Sequence, residues 1–168
     1  EYKILVVTEK LIPTWLNALA SEDNEIRIDA VQTMRLAAQK ELPGLEVLID
    51  PLIEVVADTE NLKTVRYTAA SVLVLLDASK AKNVLLDGIR NGEYEMSVLA
   101  ESALVRWKAE EMLDIWRARI DSPKSGTLVR LAFEGLAALG TNEDRQALVR
   151  FSIQASNSNT LRIDAAQA

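Results

Sequence analysis

Ile26-Arg27-Ile28-Asp29-Ala30-Val31-Gln32 returns near the other end of the chain as Leu161-Arg162-Ile163-Asp164-Ala165-Ala166-Gln167. Between these copies, Val65-Arg66-Tyr67-Thr68-Ala69 and Val129-Arg130-Leu131-Ala132-Phe133 share the apolar-Arg start, and Met96-Ser97-Val98-Leu99-Ala100 carries Ser where the others have Arg. The anchors Arg27, Arg66, Ser97, Arg130 and Arg162 are separated by 39, 31, 33 and 32 residues. A recurrence of this length marks a chain built from stacked supersecondary units.

Each anchor opens a stretch with apolar residues at helical spacing. Val65, Ala69, Val72, Leu73 and Leu76 form one stripe of an amphipathic helix. The same offsets hold Met96, Ala100, Ala103, Leu104 and Trp107, then Val129, Phe133, Leu136, Ala137 and Gly140, and also Ile26, Ala30, Thr33, Met34 and Ala37. Another apolar segment precedes each stripe, at 11–20, 48–57, 84–89, 112–120 and 147–153. Polar turns join the two segments, as in Ser21-Glu22-Asp23-Asn24, Asp58-Thr59-Glu60-Asn61 and Asn91-Gly92-Glu93. The unit is therefore helix A, turn, helix B. Helices B are expected near 24–39, 62–77, 94–107, 126–140 and 159–168, side by side in one layer with helices A in the other.

The Val-Arg-x-x-Ala start of helix B at Val65 to Ala69, and an early proline in helix A at Pro13 and Pro51, resemble the HEAT-repeat family. The closest likeness is to the short HEAT-like repeats of roughly thirty residues common in bacterial proteins. Ser97 and the helices A of repeats three to five, which lack the proline, depart from that pattern. The resemblance implies an all-α fold, a right-handed α-α superhelix of about five helical hairpins. It also implies that the repeated arginines bridge neighbouring repeats through acidic or carbonyl partners. One period before Arg27, Tyr2 to Val7 fall at the end of an earlier helix B. At the other end, helix B of repeat five reaches only about two turns before Ala168. Residues 1–168 are accordingly expected to form a single HEAT-like repeat domain, a segment of a longer solenoid.

Composition narrows the chemistry. The 168 residues include no His and no Cys, which removes disulfides, thiolate nucleophiles, the usual zinc ligands and the usual general base. A net charge of -6 and a pI near 4.8 oppose a nucleic-acid or anionic-membrane footprint. The longest nearly unbroken apolar run, Ala69 to Leu76, is far shorter than the ~20 residues that span a bilayer. Pro123-Lys124-Ser125-Gly126-Thr127 lacks the spacing of a phosphate loop and reads as a turn before a helix. Glu110-Glu111 and Glu143-Asp144 lie where helices start, and their charge suits the helix dipole. No cofactor or metal is implied, and the expected protein is not an enzyme.

Tryptophans and arginines carry the remaining functional readings. Trp107 occupies the template position of Leu76, and Trp15 lies on the apolar stripe of helix A, so both are expected in the core. Trp116 beside Arg117 and Arg119 would suit base stacking and phosphate contact, or form the basic tail of an amphipathic helix.

The residue after each anchor, Ile28, Tyr67, Val98, Leu131 and Ile163, is apolar in all five repeats, although it lies nearly opposite the stripe that packs on helix A. The neighbouring row of Gln32, Ser71, Ser102, Gly135 and Gln167 is small or polar. Two causes fit the apolar row: packing against the adjacent helix B, or a strip that binds a protein or peptide partner. The expected function is a non-enzymatic interaction scaffold. The alternatives are a HEAT-like nucleic-acid-acting enzyme and a structural spacer beside a catalytic domain.

Overall fold

Asp23 begins the pattern that the chain repeats. Its side chain accepts from the Glu25 N–H at 2.8 Å, and the next sixteen residues form α2 (Asn24–Gln39). In the computed structural model, which describes residues 9–154 and 158–168, ten α-helices and no strands occur among the described residues. The helix-B end expected at Tyr2 to Val7 lies outside the described residues, as do Ser156 and Asn157 of the last turn.

The helices A are α1 (Ile12–Leu19), α3 (Ile49–Ala57), α5 (Lys82–Arg90), α7 (Leu113–Asp121) and α9 (Asn142–Ile153). The helices B are α2, α4 (Lys63–Leu75), α6 (Tyr94–Arg106), α8 (Gly126–Leu139) and α10 (Asn159–Gln167). A single 3-10 turn leads directly into each of the first four helices A. Pro13 and Pro51 sit within the first three residues of α1 and α3, where a missing N–H leaves no helical bond unmade. α9 instead starts with a capping box: the Thr141 hydroxyl accepts from the Asp144 N–H, and the Asp144 carboxylate accepts from the Thr141 N–H.

Three helices B end alike. After α2, α4 and α6 the chain passes through a left-handed residue, Glu41 (φ 53°), Asp77 (φ 50°) and Lys108 (φ 52°). Each is held by a pair of reversed bonds, such as Ala109 N–H to the Leu104 carbonyl and Lys108 N–H to the Val105 carbonyl. Such caps ordinarily carry glycine, because a Cβ is strained at positive φ.

The chain divides into two compact units, 1–92 and 93–168. In the first, α1, α3 and α5 pack as one layer while α2 and α4 pack side by side; α1 lies on α2 and α3 on α4. In the second, α6, α8 and α10 are neighbours, and α7 and α9 lie on α8 and α10. The core sits between the layers of each unit. Val65, Ala69, Val72 and Leu73 in one, and Met96, Ala100, Ala103 and Leu104 in the other, are fully buried at the template offsets. Leu76 and Trp107, at the last offset, are half-buried, because each is the residue on which its helix ends.

In α8 the buried face runs one residue earlier than the sequence alignment places it. Ala132, Phe133, Gly135 and Leu136 are inside while Arg130 and Glu134 are exposed. This matches the pattern of α4 and α6 if Val129, not Arg130, is the anchor.

Leu73→Ala and Leu104→Ala should each cost about 2–5 kcal/mol in denaturant unfolding, the range for emptying a fully buried leucine site. Lys108→Gly should raise stability by up to about 1 kcal/mol, since the exposed lysine makes way for the residue its backbone conformation prefers.

Candidate interaction surface

Where the arginines point decides how much charge is left for a ligand. Arg66 and Arg162 share one tie: each donates Nε to the backbone carbonyl ten residues upstream, Val56 at 3.0 Å and Ser152 at 2.8 Å, joining helix B to the end of its own helix A. Arg27 donates to the Asn61 side chain, ahead of α4, and to that of Asn24. Arg130 donates Nε to Asp164 of α10 at 2.6 Å. The anchors thus include two ties within a hairpin and two bridges to the following one.

The third anchor is Ser97, buried, and an arginine from elsewhere reaches it. Arg119 of α7 donates Nη2 to the Ser97 hydroxyl at 3.2 Å and Nη1 to Glu101 at 2.8 Å. Glu101 is only 1% exposed, and it also accepts from the Trp116 indole N–H at 2.9 Å. Trp116 is fully buried, and its ring lies on Gly135, where an added Cβ would come within 2.4 Å of it. Gly135 is therefore an interior contact point, and the small-or-polar surface row is broken in α8.

Arg117, the other cation beside Trp116, holds Asp144 with two parallel bonds of 2.8 and 2.9 Å and Asp114 with a third at 2.9 Å. These bonds push its pKa further above the usual arginine range. They also hold the Asp144 carboxyl well below the ordinary carboxylate range, against the opposing effect of burial, with the Thr141 N–H and hydroxyl assisting. The stacking and phosphate cluster considered for Trp116, Arg117 and Arg119 is consequently absent: the ring is inside and both guanidiniums face carboxylates.

None of the five apolar residues that the sequence places after the anchors is buried. Val98 (45% exposed) and Ile163 (57%) are open to solvent, while Ile28, Tyr67 and Leu131 are half-buried. In the first unit Ile28 and Tyr67 lie on the neighbouring helices α2 and α4; in the second Val98, Leu131 and Ile163 lie on α6, α8 and α10. With α8 in its structural register, the exposed position equivalent to Val98 is Arg130, and Leu131 lies one residue further round toward the core.

Among the described residues, no three His, Cys, Asp or Glu gather to hold a metal ion, and no helix is long and apolar enough to cross a membrane. No known family profile matches the chain, and no curated protein or solved structure matches it at a significant level.

The Asp144 pairing has a pH signature. Because its folded pKa is depressed, its stabilising contribution is complete above the ordinary Asp value of about 3.9 and is lost as pH falls toward the folded value. Asp144→Asn should therefore be less stable than the parent chain at neutral pH, and the gap should narrow as unfolding is followed below pH ~4.

Proposed function

We propose that the chain is a HEAT-like helical-repeat scaffold, a right-handed α-α superhelix that works without catalysis by presenting its helix-B surface to a protein or peptide. One observation carries this reading: apolar side chains after the anchors are left unburied in α2, α4, α6 and α10, with Val98 and Ile163 about half or more exposed, while α8 places Arg130 in the row and Leu131 beside it. An apolar line rimmed by polar side chains suits a partner that supplies apolar anchors of its own, such as an amphipathic helix or a peptide laid across several helices B. The absence of His and Cys from the sequence leaves little for acid-base or nucleophilic work. A nucleic-acid partner is disfavoured because Arg117, Arg119 and Arg130 each face a carboxylate, and the net charge is -6.

Val98→Lys and Ile163→Lys, singly and together, replace exposed side chains and should leave the melting temperature nearly unchanged. A photo-crosslinking residue at Val98 should capture a protein partner from lysate of the source cells, and the lysine at Ile163 should reduce that capture. Equal capture by a crosslinker on the helix-A side, at Glu111, would reject the strip as the binding face.

A further inference from the structure

The turn at Asn91-Gly92 holds the reacting groups of an intramolecular step that a binding surface does not use. In an Asn-Gly sequence the backbone nitrogen of the glycine attacks the side-chain carbonyl carbon of the asparagine, Cγ, and closes a five-membered ring. A side chain on the following residue crowds that attack, and glycine has none. Of the eight asparagines in the sequence, only Asn91 precedes a glycine; the others precede bulkier residues such as Leu62, Val84 and Thr160.

The fold leaves this pair open to the reaction. Asn91 and Gly92 are both exposed, directly after α5. Gly92 has φ 79°, and a Cβ built there would meet no atom within 4 Å. Two backbone bonds close the turn: the Asn91 N–H donates to the Asp87 carbonyl and the Gly92 N–H to the Ile89 carbonyl, both at 3.0 Å. The second must open, and ψ of Asn91 must leave its resting value of 1°, before the Gly92 nitrogen reaches Cγ. That bond lies at the C-terminal end of a nine-residue helix, where fraying begins. Asp87-Gly88 offers the contrast: it would form the same ring with loss of water, but it lies inside α5 with Gly88 buried.

We propose that Asn91 is a site of spontaneous deamidation whose product weakens the end of α5. The Gly92 nitrogen gives its proton to hydroxide and forms a bond to Cγ of Asn91. The side-chain nitrogen takes up a proton from water and leaves as ammonia, so that a succinimide remains. Water then adds to one of the two ring carbonyls and breaks its bond to nitrogen, giving aspartate or, when the main-chain carbonyl is opened, isoaspartate. No oxidant or reductant takes part. Either product places a new negative charge at the C-terminal end of α5, where the helix dipole opposes it. The iso product also routes the main chain through Cβ, which lengthens the turn that holds Gly92 at positive φ.

Peptide mapping by mass spectrometry tests this on the intact folded chain, held at physiological temperature and mildly alkaline pH. The peptide carrying Asn91 should gain the mass difference between an amide and an acid ahead of every other asparagine peptide, and an isoaspartate methyltransferase should label it. Conversion should rise nearly in proportion to hydroxide concentration, because the attacking nitrogen must lose its proton. Asn91→Gln, which would need a six-membered ring, should lose the conversion while circular dichroism shows its helices intact. Anion exchange separates the converted chain by its added charge, and that chain should melt roughly 1–4 °C below the parent. Conversion confined to the urea-unfolded chain would mean that the Gly92 bond to Ile89 does not open, and would overturn the proposal. Equal conversion at another asparagine, or a converted chain that melts as the parent does, would overturn it too. None of these readouts involves the helix-B surface, so they stand apart from the test of the scaffold.

Discussion

Half of the described helices are too short to stand alone. Among the described helices α2, with sixteen residues, is the longest, and five have eight or nine, whereas isolated helices shorter than ~12–15 residues are marginal in water. With no cysteine to cross-link them, their stability has to come from burying the stripe of each helix against its neighbours. The alternation of small and large residues in that stripe does this. Ala69, Ala100 and Ala103 let neighbouring helices approach closely, and Val72, Leu73 and Leu104 fill the space between them. Positions outside the stripe are free of that demand, which separates the requirements of the fold from those of the surface.

Several departures from the repeat pattern are one physical arrangement. Ser97 is too short to reach a carbonyl as Arg66 does, and Arg119 from α7 reaches in to its hydroxyl. A half-buried guanidinium needs an anion, and Glu101 supplies it while also satisfying the Trp116 indole N–H. The indole in turn needs a flat resting place, and Gly135 provides one at a position where any Cβ would clash. Changing one member alone leaves a buried charge or an indole N–H without its partner, or brings a Cβ into the ring. The atypical third repeat and the glycine in the fourth therefore depend on each other.

Helix positions were legible in the sequence because apolar periodicity and polar turns report the same boundaries: α2 is found at 24–39 and α8 at 126–139, against 24–39 and 126–140 expected. The register of α8 was not, because Val129-Arg130 copies the Val65-Arg66 pair while the buried face sits one residue earlier. Left-handed caps at Glu41, Asp77 and Lys108 also left no trace, since the residue that normally reports them is glycine. Arg117 and Asp144 are twenty-seven residues apart on different helices A, so no local spacing could pair them. Of the candidate strip, the apolar character was readable in the sequence, while the helical wheel left packing against a neighbouring helix B and exposure both open. The inward lean of Leu131 was hidden by the same one-residue offset.

The composition of the exposed row remains to be explained once the fold has been accounted for. At a solvent-facing helix position, Val and Ile are poorer choices than Lys, Glu or Ala, because β-branching restricts the side chain against the preceding turn. Val98 and Ile163 therefore give up helix propensity and expose apolar surface, with only partial burial in return. The arginines nearby do the reverse: Arg66, Arg119 and Arg162 direct their donors to carbonyls and carboxylates of the protein's own helices. A surface that turns cations inward and leaves branched aliphatic side chains outward is poorly matched to a phosphate backbone and well matched to another apolar surface. That distribution, more than the repeat architecture itself, supports reading the helix-B face as a place of protein contact.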